Sequence, residues 1–453
     1  MAKPAQLSVA EAARRIGRKE LSPVEMVESL LHRIDALEPQ LKAWVYLDRE
    51  AVLSEARQKE AELGWGPRQG LGPLHGVPIG LKDIYYTAGI PTTACSRVYA
   101  DFVPSYDATT VSLLKRAGAI MLGKTVTTEF ACLDPSPTIN PWNPAHTPGG
   151  SSSGSAVAVA AGMCPAAMGS QTVGSVLRPA SYNGVVGFKP TFGRVSRYGV
   201  IPVSWSLDTM GWLVRTVEDA ALLLQVMAGP DPQDPVASRQ PPSDYLAGLE
   251  NPTAPRIGLL RRYFYDHADE ETRQHTDGVV EKLSQAGAAV EEISLPDSIE
   301  TAFTDQLLIM AVEGASFHQP MFQSRAEEYQ PKLREMLRRG LNTDAASYSR
   351  ALERRRQFIY DMEVLAEKAD ILLTPSTPTP ALADVTNTGN PMFQGPWTSC
   401  GLPAISIPSG LAASGLPLGI QLVAGLFAEA QLLAAARWCE SVLDVHLSPP
   451  VGA

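Results

Sequence analysis

The sequence predicts an α/β fold: a single large domain with a mixed, mostly parallel central sheet that helices cover on both faces. The chain has 453 residues, of which 45% are hydrophobic and 19% charged, as is usual for a globular protein. In its second half, short apolar runs alternate with helical patterns, as in the strand 257–260, the helix 270–286 and the strand 289–294. Such alternation is typical of parallel strands joined by helices.

The composition also limits the classes of function. The formal net charge is −10, which argues against nucleic acid as a partner because phosphates require a basic surface. No run approaches the roughly 18 apolar residues of a membrane span, and the N-terminal segment lacks the apolar core of a signal peptide. We therefore expect a cytoplasmic protein, a monomer or homodimer, with no nucleic-acid or membrane partner.

The cysteines predict neither a disulfide framework nor a zinc site. They are odd in number and scattered, without a CxxC pair: Cys95, Cys132, Cys164, Cys400 and Cys439. The histidines form no HExxH motif, and none lies beside a candidate nucleophile in a recognisable pattern. We expect no metal and no other cofactor.

The N-terminal region carries clear helix-start signals. Ser8 precedes one helical pattern, and residues 22–25 form a capping box with proline at the first helical position. The helix that follows this box is expected to reach about Leu37, and a third helix is expected over 51–63. We divide the single domain into N-terminal helices at 1–70, a core at 71–228, a variable helical region at 229–369 and closing strands and a helix at 370–453.

Two features of the core carry reactive side chains. Residues 73–83 predict a short buried strand that ends near Lys82, although such a lysine usually extends its ammonium group to water. Ser151 and Ser175 lie in two glycine-rich turns, one on each side of a helix of small residues. Glycine leaves little steric cover over a nearby hydroxyl, but turns of this composition are also ordinary flexible loops.

Two motif matches in the core conflict with their surroundings. Residues 118–125 fit the P-loop pattern GxxxxGK[ST], yet a helical pattern precedes them and their apolar interior favours a buried strand. Residues 150–154 fit the GxSxG nucleophile elbow, which must follow a strand. The preceding residues 140–148 contain three prolines and cannot form a central strand. A nucleotide-binding protein that uses 118–125 remains an alternative from another class.

Residues 149–190 resemble the signature segment of the amidase signature family. The resemblance extends upstream to 80–83, where the family has its catalytic lysine, and downstream to 401–408 and 415–421. It implies that Ser175 is the nucleophile, Ser151 a bridging serine that follows a cis peptide bond, and Lys82 the base. It also implies an oxyanion hole made by backbone N–H groups of Thr172, Val173, Gly174 and Ser175.

The implied chemistry explains why these residue types are needed. A serine hydroxyl becomes a good nucleophile when a base removes its proton, and a hydroxyl can relay a proton because it both donates and accepts. Lysine acts as a base only when neutral, so burial must lower its pKa. Gln171 and Val173 depart from the common family residues, aspartate and glycine. The turn must therefore avoid positive φ at Val173.

The substrate class follows from the same resemblance. The connection between 131 and 140 is shorter than in many family members, which predicts an open cleft for bulky or aryl amides and for carbamates, with esterase side activity. Plausible lining residues are aromatic and apolar: Tyr85, Tyr86, Cys132, Leu133, Met392, Phe393 and Trp397. Residues 192–199 also resemble the glutamine-hydrolysing A subunit of tRNA amidotransferases, which is the alternative within the family.

Overall fold

A computed structural model describes residues 3–64 and 71–451 of the chain. Its centre is one sheet of eleven strands within these residues. The strands are β1 (Trp44–Tyr46), β2 (Pro78–Lys82), β3 (Ile120–Thr125), β4 (Ala166–Gln171), β5 (Val186–Lys189), β6 (Thr209–Val214), β7 (Arg256–Leu259), β8 (Ala289–Glu292), β9 (Ile371–Pro375), β10 (Ala404–Leu411) and β11 (Pro417–Val423). Because strands from both halves of the chain share this sheet, the described residues form one domain, as predicted.

The sheet is mixed, and its order is β1-β3-β2-β4-β6-β5-β10-β11-β9-β7-β8. Parallel pairing occurs in two outer groups, β3-β2-β4 and β9-β7-β8. The strands between these groups pair in antiparallel fashion, as does the edge strand β1. The expected parallel pairing thus holds only in the outer groups, because short turns rather than helical crossovers can join neighbouring antiparallel strands such as β10 and β11.

Fourteen α-helices surround the sheet within the described residues. They are α1 (Val9–Gly17), α2 (Pro23–Leu41), α3 (Arg49–Glu62), α4 (Thr109–Arg116), α5 (Ser153–Ala160), α6 (Leu177–Asn183), α7 (Val217–Met227), α8 (Phe264–His267), α9 (Glu270–Gln285), α10 (Ile299–Arg325), α11 (Pro331–Asn342), α12 (Ala345–Ala366), α13 (Gly395–Ser399) and α14 (Glu429–Leu443). No helix in this part of the chain is both long and apolar enough to cross a membrane.

Helices cover both faces of the sheet because successive strand residues point to opposite sides. In β9, Ile371 and Leu373 belong to the larger apolar cluster, which also contains Leu283 of α9. Leu372, between them, belongs to a second cluster with Phe358 of α12. The strand is buried on both sides, as the apolar residues at its start predict.

The predicted helix starts are confirmed at the N-terminus. The Ser8 hydroxyl accepts a hydrogen bond from the Glu11 N–H group. The Ser22 hydroxyl accepts from the Glu25 N–H group, while the Glu25 carboxylate accepts from the Ser22 N–H group at 2.9 Å. The helix α2 continues four residues beyond the expected end at Leu37. The three-residue edge strand β1 was not predicted, because so short a segment shows no alternation.

Candidate active site

Lys82 lies at the end of the buried strand β2, and its side chain remains inside the protein. All five residues of β2 are buried, and Lys82 is fully inaccessible to solvent. Its Nζ donates hydrogen bonds to the hydroxyls of Ser151, at 2.7 Å, and Ser170, at 2.9 Å. Burial disfavours the ammonium form and lowers the pKa of Lys82 to about 7, with Asp208 opposing the shift. A substantial neutral fraction is therefore available near neutral pH.

The turn before α5 places Ser151 beside Lys82. The peptide bond between Gly150 and Ser151 is cis, as the resemblance implies. The Ser151 carbonyl accepts hydrogen bonds from the Thr128 N–H group and the Thr127 hydroxyl, each at 3.2 Å. The next residue connects this turn to the glycine-rich turn that contains Ser175, because the Ser152 N–H group donates to the Ser175 carbonyl at 3.3 Å.

The GxSxG match at 150–154 does not form a nucleophile elbow. No strand precedes it, since residues 140–150 have irregular structure. The Ser152 side chain is fully buried, and its hydroxyl lies 3.4 Å from the Ser170 N–H group that donates to it. An elbow serine must be exposed at the top of a sheet, so Ser152 lacks the position that the motif requires.

The second turn, residues 172–175, joins β4 to α6. Among residues 3–64 and 71–451, the N–H groups of Thr172, Val173, Gly174 and Ser175 have no hydrogen-bond partner. All four residues line one cavity, and Ser175 is partly exposed. Consecutive N–H groups without a partner, beside an accessible hydroxyl, are available to donate to a bound ligand.

Gln171 stabilises this turn from within the protein. Its side-chain oxygen accepts hydrogen bonds from the N–H groups of Val176, at 2.9 Å, and Leu177, at 3.0 Å, where α6 begins. Its side-chain nitrogen donates to the Thr398 hydroxyl at 3.0 Å. Val173 is not among the residues with positive φ, as predicted, so its side chain adds no backbone strain to the turn.

The cavity above Ser175 has a volume of about 590 Å³. Apolar side chains from the helices α10 and α11 form much of its wall, among them Leu307, Met310 and Met336. Cys132 and Leu133 also line the cavity, as predicted from the sequence. Charged residues of α11 reach the cavity as well, so an apolar chamber has polar groups along part of its lining.

The predicted pocket residues Tyr85 and Tyr86 do not line this cavity. Tyr85 is fully buried, and its hydroxyl donates to the Gly169 carbonyl at 2.6 Å. Tyr86 packs against the rings of Phe102 and Tyr106. Both tyrosines follow Lys82 closely in the chain, but the backbone turns after β2 and directs them into other packing sites.

Met392, Phe393 and Trp397 were also expected to line the pocket and lie outside its lining. Phe393 and Trp397 are fully buried and contact the ring of Phe264, with centroids 5.1 and 5.7 Å away. Met392 packs against the same apolar cluster. The prediction was wrong for these three residues. Aromatic and apolar residues near a site can equally pack in the core, and these do.

The sequence interpretation missed several residues of the site. Ser170 is the second hydroxyl that accepts from Lys82, and nothing in a single sequence separates it from other serines of the region. Arg178 is buried and donates to the carbonyls of Gly150, at 2.7 Å, and Gly389, at 2.9 Å, which connects the helix α6 to two loops at the cavity. The cavity residues of α10 and α11 gave no signal because helical apolar faces usually indicate core.

The P-loop match at 118–125 has no phosphate-binding loop. Residues Ile120–Thr125 form the strand β3, paired with β1 and β2. The Lys124 side chain is buried and donates to the Tyr85 carbonyl and, at 2.9 Å, to the Thr92 hydroxyl. Its ammonium group therefore binds oxygen atoms of the protein itself and is not presented to a phosphate. The described residues also contain no group of three or more histidine, cysteine or acidic residues that could hold a metal ion.

Comparison with known proteins agrees with this fold. Residues 25–433 match the family model described as Amidase. The A subunit of glutamyl-tRNA(Gln) amidotransferase from Geobacter sp. strain M21 is 36% identical, over 97% of this chain and 98% of that protein. AmiD of Mycobacterium bovis is 38% identical, over 98% and 96% of the two chains.

Among solved structures, the peptide amidase of Stenotrophomonas maltophilia superposes with a TM-score of 0.85 and 30% identity. The match covers 98% of this chain and 99% of that one. The fold and the comparisons define a hydrolase that acts on amide C–N bonds. The chain belongs to the amidase signature family.

Proposed function

We propose that this protein is a serine amidase in which Ser175 is the nucleophile, Ser151 the proton relay and Lys82 the base. The observation that supports this proposal most strongly is the buried Lys82 side chain, 2.7 Å from the Ser151 hydroxyl. Burial favours the neutral form of Lys82, and its hydrogen-bond partners are serine hydroxyls, which can pass a proton to it. No metal or other cofactor takes part in the proposed reaction.

The proposed reaction proceeds through an acyl-enzyme. The Ser175 oxygen forms a bond to the carbonyl carbon, and the Ser175 proton passes through Ser151 to neutral Lys82. The carbonyl oxygen becomes negative and accepts hydrogen bonds from the free N–H groups of residues 172–175. The C–N bond then breaks as the relayed proton returns to the leaving nitrogen. Water hydrolyses the acyl-enzyme by the same relay, which regenerates the Ser175 hydroxyl.

The cavity supports bulky or aryl amides as substrates. Its volume of about 590 Å³ exceeds the needs of a small aliphatic amide, and Leu307, Met310 and Met336 offer an apolar surface. Methionine adapts to irregular and aromatic shapes, so these side chains fit an aryl group. Carbamates are proposed as a further class, with ester hydrolysis as a side activity, because the same acyl transfer serves all three.

An A-type amidotransferase subunit is the second candidate, favoured by the 36% identity to the Geobacter protein. Glutamine carries an ammonium and a carboxylate group, which both need charged partners. Charged side chains of α11 also line the cavity, so the first candidate is favoured only by the apolar residues Leu307, Met310 and Met336, which glutamine would leave unused. Glutaminase activity that equals or exceeds anilide hydrolysis would reverse this order.

The test is Ser175→Ala, with Ser152→Ala as the matched control. Turnover of an aryl amide should fall by about 10³-fold or more in Ser175→Ala, while Ser152→Ala should keep most of it. Mass spectrometry after incubation with a slowly hydrolysed aryl carbamate should locate the acyl group on Ser175. An acyl group on Ser152, or a large residual kcat in Ser175→Ala, would refute the assignment.

A further inference from the structure

The oxyanion turn is supported by side chains from distant parts of the chain. Gln306 of α10 donates from its side-chain nitrogen to the Thr172 carbonyl at 2.9 Å. Thr398 of α13 donates from its hydroxyl to the Val173 carbonyl at 2.8 Å. Both side chains are fully buried. Neither residue lines the cavity, so these contacts reach the turn from its inner side.

Peptide geometry converts these carbonyl contacts into an orientation of the N–H groups. In a trans peptide unit, the C=O of one residue and the N–H of the next point in opposite directions. The contact from Gln306 to the Thr172 carbonyl therefore directs the Val173 N–H group away from Gln306, toward the cavity. The contact from Thr398 to the Val173 carbonyl directs the Gly174 N–H group in the same way.

We propose that Gln306 and Thr398 are positioning residues that hold the Val173 and Gly174 N–H groups toward the oxyanion. The proposal rests on the proposed function of Ser175 and the turn. Neither side chain touches the substrate; each acts through a backbone carbonyl. The two residues act at different peptide units: Gln306 donates to the Thr172 carbonyl and Thr398 to the Val173 carbonyl.

The hydrogen-bond inventory of the two side chains supports this role. The side-chain oxygen of Gln306 is buried and has no hydrogen-bond partner among the described residues. The hydrogen bond to the Thr172 carbonyl is therefore the one that the Gln306 side chain makes within these residues. The Thr398 hydroxyl has a single proton, and the Gln171 side chain donates to its oxygen at 3.0 Å. The proton is thus left for a carbonyl, and the Val173 carbonyl at 2.8 Å is nearer than the Gln394 carbonyl at 3.4 Å.

The steric surroundings of the turn explain why orientation must be imposed. A Cβ atom at Gly174 would lie 2.7 Å from the side-chain oxygen of Gln394 and 2.9 Å from Pro391. Glycine is therefore required at this position, and glycine leaves the backbone conformationally free. The hydrogen bonds to the Thr172 and Val173 carbonyls restrict the backbone of this turn, beside the place where the negative charge of the oxyanion develops.

The test replaces each donor by an apolar side chain of similar shape: Thr398→Val and Gln306→Met. Each should lower kcat for an aryl amide about tenfold or more, while KM changes less than about twofold, because the oxyanion exists only in the transition state. Affinity for an aryl trifluoromethyl ketone should fall by the same factor, since this inhibitor bonds to serine and forms an oxyanion. Thr398→Ser keeps the hydroxyl and should restore most of the activity.

Thr374→Val and Gln421→Met are the matched controls. Both residues are fully buried, and the Gln421 side chain donates to the Thr374 hydroxyl and the Phe393 carbonyl rather than to the turn. These variants should lose thermal stability as Thr398→Val and Gln306→Met do, yet keep kcat and the inhibitor affinity. If one test variant fails to fold, the other tests the same proposal from a different helix.

Two outcomes would overturn the proposal. One is a kcat in both test variants equal to that of their controls; the other is a lower kcat with unchanged affinity for the ketone. Failure of the proposed function is distinguishable, because it would appear as activity in Ser175→Ala whatever Thr398→Val does. If Ser175→Ala is inactive and both test variants are fully active, only the positioning role is refuted.

Discussion

The pH dependence of catalysis provides the sharpest test of Lys82 as the base. Burial lowers the pKa of Lys82 to about 7 from its ordinary value of 10.5. At pH 7 about half of the enzyme then carries a neutral lysine, whereas an unperturbed lysine would be neutral in roughly 3 of 10,000 molecules. The buried position at the end of β2 thus increases the population of the active base by about a thousandfold.

We expect kcat/KM for an aryl amide to rise with pH and then become constant. Below about pH 6 the rate should change about tenfold per pH unit, and above about pH 8 it should reach a plateau, because one group must lose a proton. Lys82→Ala should remove this rise together with most of the amide hydrolysis. Ester hydrolysis should suffer less, since an alkoxide or phenoxide leaves without the proton that an amine needs.

A histidine base would give a different result. No histidine is among the residues that line the cavity. His318 is buried beside Phe130, and burial lowers its pKa to about 4. If Lys82→Ala keeps a rise near about pH 6.5 and loses amide and ester hydrolysis equally, a histidine is implied and the Lys82 assignment is refuted.

The same shift predicts how stability changes with pH. The pKa of Lys82 is lower in the folded state than in the unfolded state, so the unfolded state binds more protons between the two values. The free energy of unfolding of the wild type should therefore rise, relative to Lys82→Met, between about pH 7 and 10.5. Denaturant unfolding of both proteins measures this difference. A constant or falling difference would show that Lys82 is not desolvated.

Three further predictions concern the pocket, the scaffold and cofactors. Met336→Trp should fill part of the cavity and raise KM for a bulky anilide far more than for a small aliphatic amide; equal effects on both would contradict the pocket assignment. Ser22→Ala should lower the free energy of unfolding by about 1 kcal/mol, measured in denaturant, because α2 loses its cap. The control Thr343→Ala, at the end of α11, should lower the free energy of unfolding by less. Dialysis against a chelator should leave kcat unchanged, and a loss that zinc or magnesium restores would refute the cofactor-free reaction.

The sequence predicted the parts of the fold that depend on local signals. The strand at 371–375 has the predicted bounds, because its apolar residues follow Asp370 and its last residue is a proline. The capping box at Ser22 is another local signal, since the side chains of Ser22 and Glu25 each accept from the other's backbone N–H group. The positions of Lys82 and Ser151 followed from the resemblance to the family, and their 2.7 Å hydrogen bond required the structure.

The pocket could not be predicted in the same way. Phe393 and Trp397 have the composition of a pocket wall but pack in the core, while Met310 and Met336 have the pattern of a core and line the cavity. Burial of an apolar side chain stabilises the protein in either place, so composition does not distinguish the two. The choice depends on how α10 and α11 pack over the sheet, which involves residues more than a hundred positions from Ser175.

Gln171 illustrates how a departure from a family pattern is compensated by such long-range contacts. An aspartate at this position could accept from the N–H groups at the start of α6, but when ionised it could not donate to the Thr398 hydroxyl. The longer amide performs both tasks, because its oxygen reaches Val176 and its nitrogen reaches Thr398. The Thr398 proton is then directed to the Val173 carbonyl, 2.8 Å away. Gln171, Thr398 and the Val173 carbonyl are therefore joined in one chain of hydrogen bonds, and we expect Gln171→Asp to remove the donor to Thr398.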